Sequence, residues 1–251
     1  MKLVLLSALL LTTKVTLHAA DFNAIVLEQI RKMPEGGGYA TTRESHQALN
    51  SAVALSPLGL RVESSKAQPS YCSGATYLLF LKTLAEAEKQ GLCPPASSSS
   101  ESLLPKAMPD GVGIWGRWNA NGPGTARLFH ELGLGKNFTS WERARPGDFM
   151  KIFWSSDVGK KERGHSVVFL GMEMKDGVEH VRFWSSNKPG GYGEKSVPKS
   201  KVAAAIFSRL ENPSNIQRVA TIPKKDAYLA SLLTHESSLG EALQKTGATA
   251  P

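Results

Sequence analysis

The chain predicts an α+β fold in which helices pack on one side of a small antiparallel sheet. Two observations carry this expectation. Apolar residues recur at helical spacing in four separate segments of the first 135 residues. From about residue 140 the pattern changes to short apolar or alternating runs punctuated by glycine turns, the grammar of a strand meander. Its clearest mark is Asp176-Gly177, a two-residue hairpin signal between HSVVFLGM and VEHVRFWS.

In chain order, residues 1–20 read as a secretory leader. Lys2 gives the charged start, 3–13 is an apolar run too short to span a bilayer, and 17–20 offer a small-residue cleavage site. No cysteine follows as a lipid anchor, so the protein is expected to be secreted or periplasmic. Residues 21–230 then form one domain, and 231–251, polar throughout, a flexible tail.

Asp21 caps a helix over 21–33 with Phe22, Ile25, Val26 and Ile30 on one face, ended by Pro34 and Gly36–Gly38. Thr41 and Glu44 form a capping box for a second short helix reaching about residue 53. Residues 56–68 read as loop. Residues 69–91 make one helix, with Ser70 as cap, Tyr77, Leu78, Leu81 and Leu84 on its apolar face, and Gly91 as its left-handed stop. Residues 94–109, including the serine run 97–100, read as a flexible excursion. The glycines of 111–124 break any regular period, so this stretch reads as a jointed loop presenting Trp115, Trp118 and Asn119 to a site. A short helix over 125–132 stops at Gly133, with His130 in a structural role.

Arg145-Pro146-Gly147-Asp148 is a turn. Residues 149–155 form a strand in which Met150, Ile152 and Trp154 alternate against Lys151 and Phe153. After a charged loop at 157–164 comes a doubly buried strand, 165–172, and its partner, 178–185. Residues 187–193 are a glycine-rich turn. Residues 198–210 have the spacing of an amphipathic helix stopped by Asn212-Pro213, and 214–233 hold two shorter helical pieces.

Composition narrows the function. A content of 41% apolar and 8% aromatic residues suits a globular core. The formal charge of +8, about +6 once Lys2 and Lys14 are removed, suits an anionic cell envelope. No basic run is interleaved with aromatics, so nucleic acid is not an expected partner, and a monomer is expected. No phosphate loop or Gly-x-Ser-x-Gly elbow is present, and the two cysteines lack metal-ligand spacing with histidine. Neither metal nor cofactor is expected.

Cys72 is the chemical focus. In the first turn of a helix its thiolate is favoured by the dipole and free N–H groups. A disulfide to Cys93 is excluded by geometry. The intervening helix is roughly 25 Å long, and Cα atoms of a disulfide lie within about 7 Å. A nucleophilic thiol needs a base and a group that orients it. His18 falls in the leader, His46 and His130 on helices and His235 near the tail. His165, opening a buried strand after Gly164, is the candidate base, with His180 as competitor. Ser185, Ser186 and Asn187, on the neighbouring strand, are candidate orienting groups, Asn187 being the natural one for a Cys–His–Asn arrangement.

YCSG opening a helix, RPGD leading into a strand and GHSVVFLG following resemble the papain-like amidohydrolases of the NlpC and CHAP types. The resemblance covers about residues 65–190 and departs from those families at Tyr71, where they carry an Asp. It implies a papain-like fold, Cys72 as nucleophile, His165 as base and a polar residue of the next strand as its orienter. The implied activity is amide hydrolysis, with peptidoglycan peptides or another envelope peptide as substrate. Tyr71, Trp115, Trp118, Asn119, Ser185 and Ser186 are expected to line the substrate cleft. Two other functions fit the same scaffold. One is a binding module with a ligand in the 111–124 loop and an inert Cys72, the other a thioester-forming acyltransferase.

Overall fold

The computed structural model describes residues 20–56, 59–95 and 100–249. The leader-like residues 1–19 and the serines at 97–99 lie outside the described residues. In order the elements are α1 (Phe22–Arg31), β1 (Gly36–Gly37), α2 (Arg43–Ser51), β2 (Val53–Ser56), β3 (Gly59–Val62), α3 (Cys72–Lys89), α4 (Gly113–Asn119), α5 (Gly124–Leu132), β4 (Gly135–Phe138), β5 (Phe149–Phe153), β6 (Asp157–Gly159), β7 (His165–Lys175), β8 (Val178–Asn187), β9 (Gly191–Pro198), β10 (Ala204–Leu210), α6 (Ala227–Ser231), β11 (Glu236–Ser238) and α7 (Leu239–Thr246). The fold is α+β, built on an antiparallel sheet.

That sheet has seven strands in the order β1-β9-β8-β7-β5-β10-β4, every neighbouring pair antiparallel. It is wider than the small sheet the sequence suggests, because β1, β4 and β9 fall in segments not read as strands and β10 in one read as a helix. Ala204, Ala205, Ile206 and Phe207 fit a helical stripe, but they sit between β5 and β4 with Ile206 and Phe207 fully buried. Burial on both sides of a sheet rewards a continuous apolar run and overrides the helical propensity of alanine. The expected loop at 56–68 holds β3, which forms a hairpin with β2.

Helix α3 packs against α1 and α4 on one side and β7 and β8 on the other. Tyr77, Leu78, Leu79, Phe80 and Leu81 are all fully buried, so the helix is apolar nearly all round, as a central helix must be. Its C-terminus closes as expected: Gly91 has φ 70°, and Leu92 N–H donates to the Ala87 carbonyl at 2.9 Å. Its N-terminus differs. Ser70 does not cap. Tyr71 is the N-cap residue and makes no side-chain cap bond, while Ser70 Oγ donates to Ser186 Oγ at 2.7 Å. The helix thus opens at Cys72 without a side chain neutralising its first N–H groups.

The expected turn at 145–148 joins α1 to the sheet. Asp148 is fully buried and accepts from Asn23 Nδ2 at 2.8 Å, Arg209 Nε at 2.8 Å and Arg145 N–H at 2.7 Å. Asp148→Ala would leave a guanidinium and an amide without their acceptor. A loss of about 3–5 kcal/mol in urea unfolding is expected; a loss below about 1 kcal/mol would show that α1 is held by packing alone.

The expectation of a flexible tail from residue 231 is corrected. β11 pairs with β6, and α7 buries Ala242 and Thr246 completely. Ser238 Oγ accepts from Glu241 N–H at 3.1 Å, and Gly247 ends the helix at φ 59°. The cap and stop signals were present in a segment whose polarity masked them.

Candidate active site

Three strand and helix ends converge on one cleft. Cys72 is the first residue of α3, His165 the first of β7 and Asn187 the last of β8. The antiparallel register of β7 and β8 brings the last two to the same end of the ladder. His165 Nε2 and Asn187 Oδ1 are 3.1 Å apart. An amide oxygen only accepts, so Nε2 carries the proton and Nδ1 is left for another partner. Asn187 Nδ2 donates to the Gly193 carbonyl at 2.9 Å, which fixes the amide in that orientation. Trp154 stacks near the imidazole, with centroids 6.4 Å apart, and Phe183 meets it edge-on at 5.7 Å.

Cys72 is half-buried and shares its cavity with His165. Burial alone pushes its thiol upward. The hydrogen bond and charge of His165, the Lys151 ammonium and the Ser166 N–H outweigh it, and the thiol is held at about 6 against an ordinary 9.0. This balance favours the thiolate. The other cysteine, Cys93, is also free; burial first, then the Glu88 charge, pushes its thiol up.

Three residues that the sequence did not assign to the site complete the surroundings. Gly36, Gly37 and Gly38 all have positive φ, of 67°, 80° and 75°, a path that only glycine follows readily. This path delivers Tyr39 beside Ser70 and into both cavities that Cys72 lines. Burial, and then the Cys72 charge, raise the phenol, so Tyr39 stays neutral and donates. Lys151, on β5, is 5% exposed and its Nζ donates to Ser166 Oγ at 3.3 Å. Burial lowers its pKa, opposed by the charges of Cys72, Asp110 and Glu162. Gly164, at φ 71°, makes room for it, since a Cβ there would strike Lys151 Cε. Asp110 accepts from Asn121 N–H at 3.0 Å, and burial raises its carboxyl. The signal available for Lys151 was a lone cation in FMKIF. All five of those residues are buried, so the expected outward face of the strand does not exist.

Two cavities meet at Cys72. One, about 380 Å³, is lined by His165, Asn187, Trp154 and Phe183. The other, about 440 Å³, lies toward Asn119, Lys151 and Asp110.

Of the expected cleft residues, Asn119 lines the second cavity and accepts from Ser73 Oγ at 2.7 Å. Tyr71 lines it too, its hydroxyl 2.7 Å from His46 Nδ1. The remaining four are corrected. Trp115 and Trp118 are buried in the aromatic core with Tyr77 and Phe80, and Trp118 Nε1 donates to Thr76 Oγ1 at 3.2 Å. The segment read as a loop is the helix α4, held by the fully buried Arg117. Its guanidinium bonds Glu131 and the carbonyls of Gly111, Gly113 and Pro223. These tryptophans are therefore not presented to a ligand. Ser185 and Ser186 are fully buried, Ser185 donating to the Ser166 carbonyl and Ser186 accepting from Ser70. His180 stands opposite Glu173, seven residues down β8 from Asn187, roughly 23 Å away along the strand.

Comparison with protein-family models, curated proteins and solved structures finds no match for this chain.

Proposed function

We propose that the protein is a cysteine amidohydrolase or peptidase of the papain-like type, acting outside the cytoplasm on amide bonds of peptidoglycan peptides. One observation carries the reading: a thiol held at about 6 opens a helix and lines one cavity with an imidazole that an asparagine orients. The leader-like first 20 residues and the net positive charge support the envelope setting.

The Cys72 thiolate attacks the carbonyl carbon and forms a C–S bond. The oxyanion draws on the unneutralised start of α3 and on the Tyr39 hydroxyl. His165, protonated at Nδ1, gives that proton to the amide nitrogen as the C–N bond breaks and the amine departs. His165 then takes a proton from water, hydroxide adds to the thioester, and the C–S bond breaks to release the thiolate and a carboxylic acid, whose proton passes to the departed amine.

Mass spectrometry of peptidoglycan peptides incubated with the protein tests this. Fragments gaining one water, with a new amine and a new carboxylate, are expected. Intact peptides, or equal cleavage by Cys72→Ala, would overturn it. Within the same mechanism, Asn187→Ala is expected to lower kcat on the order of 10–100-fold with KM little changed, because it frees the ring's angle and tautomer without removing the base. A silent substitution in steady-state kinetics would show that Trp154 and Phe183 alone hold the imidazole.

A further inference from the structure

Resting on that hydrolytic reading, a second assignment concerns how the enzyme returns to its starting state. We propose that Lys151 is a positioning charge for turnover: its buried ammonium is matched by the free Cys72 thiolate and unmatched in the thioester, and so drives the acyl-enzyme toward hydrolysis. Lys151 lies on β5, opposite Ser166 of β7, and is 5% exposed. Its Nζ donates to Ser166 Oγ at 3.3 Å, and the side chain lines one cavity with Cys72. Gly164 leaves room for the stem, since a Cβ there would strike Lys151 Cε.

An ammonium taken out of water needs an opposing charge. Among the described residues Lys151 makes no ion pair, and its hydrogen-bond partner is a neutral serine. The other charged and titratable groups around it do not close the balance. Arg163 and Lys188 of the same cavity add positive charge, and His165 stands opposite Ile152, one position along the strand. The Asp110 carboxylate already accepts from Asn121 N–H. The Glu162 oxygens accept from the N–H groups of Trp154 and Gly164. Of the charges that favour the Lys151 ammonium, Cys72 comes first, ahead of Asp110 and Glu162. The dependence is reciprocal, since Lys151 favours the thiolate. Catalysis switches this partner off and on. When the C–S bond forms, the sulfur shares its electron pair with the acyl carbon and its negative charge is gone, leaving the ammonium stranded in a dry interior. When hydroxide adds and the C–S bond breaks, the pair returns to sulfur and the ammonium regains its partner. Lys151 therefore raises the acyl-enzyme relative to the free enzyme and makes the sulfur a better leaving group.

A reversible neutral cap tests this without amide hydrolysis. In a buffer of 2-mercaptoethanol and its disulfide at pH 8, the Cys72 thiolate attacks the disulfide, one S–S bond forms as another breaks, and mercaptoethanol thiolate leaves. The equilibrium constant compares a free thiolate with an uncharged sulfur beside Lys151. K151M is expected to favour the mixed disulfide at Cys72 by about tenfold over the native protein, with K151R close to native. Cys93, beyond the other end of α3, should behave alike in all three proteins. The acetyl thioester formed with p-nitrophenyl acetate, followed by intact mass, should persist several-fold longer in K151M than in the native protein or K151R. Constants within about twofold for native and K151M, a K151R that matches K151M, or an acetyl thioester no longer-lived in K151M would overturn the assignment. If K151M does not fold, the native protein decides. The Lys151 ammonium, followed by NMR, should titrate at lower pH once Cys72 carries a neutral carbamidomethyl group, and an unmoved midpoint would overturn the assignment. The hydrolytic reading is decided separately, by amide cleavage in the native protein and Cys72→Ala.

Discussion

Cys72→Ala is expected to lower kcat on an amide substrate by at least about 10⁴-fold while the protein stays folded. Among the groups around the cleft, Cys72 is the one whose nucleophilic form is populated at neutral pH, so its loss leaves nothing to form the acyl-enzyme. The side chain is half-buried and contributes one sulfur atom to packing, so stability should shift by no more than about 1 kcal/mol. Turnover assays with a thermal melt as control read both quantities. Retention of even a tenth of native turnover by well-folded Cys72→Ala would end the thiol mechanism. Activity lost together with the melting transition would place Cys72 in the core, not in the chemistry.

The second large effect is on the thiol itself. In the native protein the rate of Cys72 alkylation by iodoacetamide should rise with pH to a plateau with a midpoint near 6, because the depressed thiol is already deprotonated above that pH. His165→Ala removes the hydrogen bond and the charge that oppose burial. The midpoint should then climb toward the ordinary 9.0 or beyond, with only Lys151 and the Ser166 N–H still lowering it. The direction follows from the charged form: less stabilisation of thiolate means more alkali is needed to create it. At pH 7 the variant would hold about one thiolate in a hundred and react about 10²-fold more slowly. A midpoint that stays near 6 would assign the activation to Lys151 and the helix start, and leave His165 without a role in forming the nucleophile.

Much of this site is legible in the chain because it depends on element ends. Ends are marked by local chemistry: YCSG at a helix start, Gly164 before a buried strand and Asp176-Gly177 closing the hairpin that sets His165 opposite Asn187. What escapes depends on distant partners. Nothing local shows that Lys151 points into a dry interior, since an alternating strand ordinarily turns a lysine to water. Tyr39 reaches Cys72 through a glycine path whose direction is set by β9, far along the chain. Residues 204–210 carry helical spacing, and the two flanking strands that make them a strand lie elsewhere in the sequence. The tryptophans of α4 looked available because their glycines looked mobile. Arg117, by gathering four backbone and side-chain acceptors, makes that stretch rigid and turns the rings inward.

The pairing of β6 with β11 bears on when the protein becomes active during its own synthesis. Lys160 N–H donates to the His235 carbonyl at 3.2 Å, and Gly159 lies against Leu232. The loop bearing Glu162, Arg163 and Gly164 is thus braced by chain that the ribosome adds well after His165. A nascent chain can hold its thiol, imidazole and asparagine and still lack one wall of the cleft. Assembly of the working site is deferred until residues 236–238 have left the ribosome.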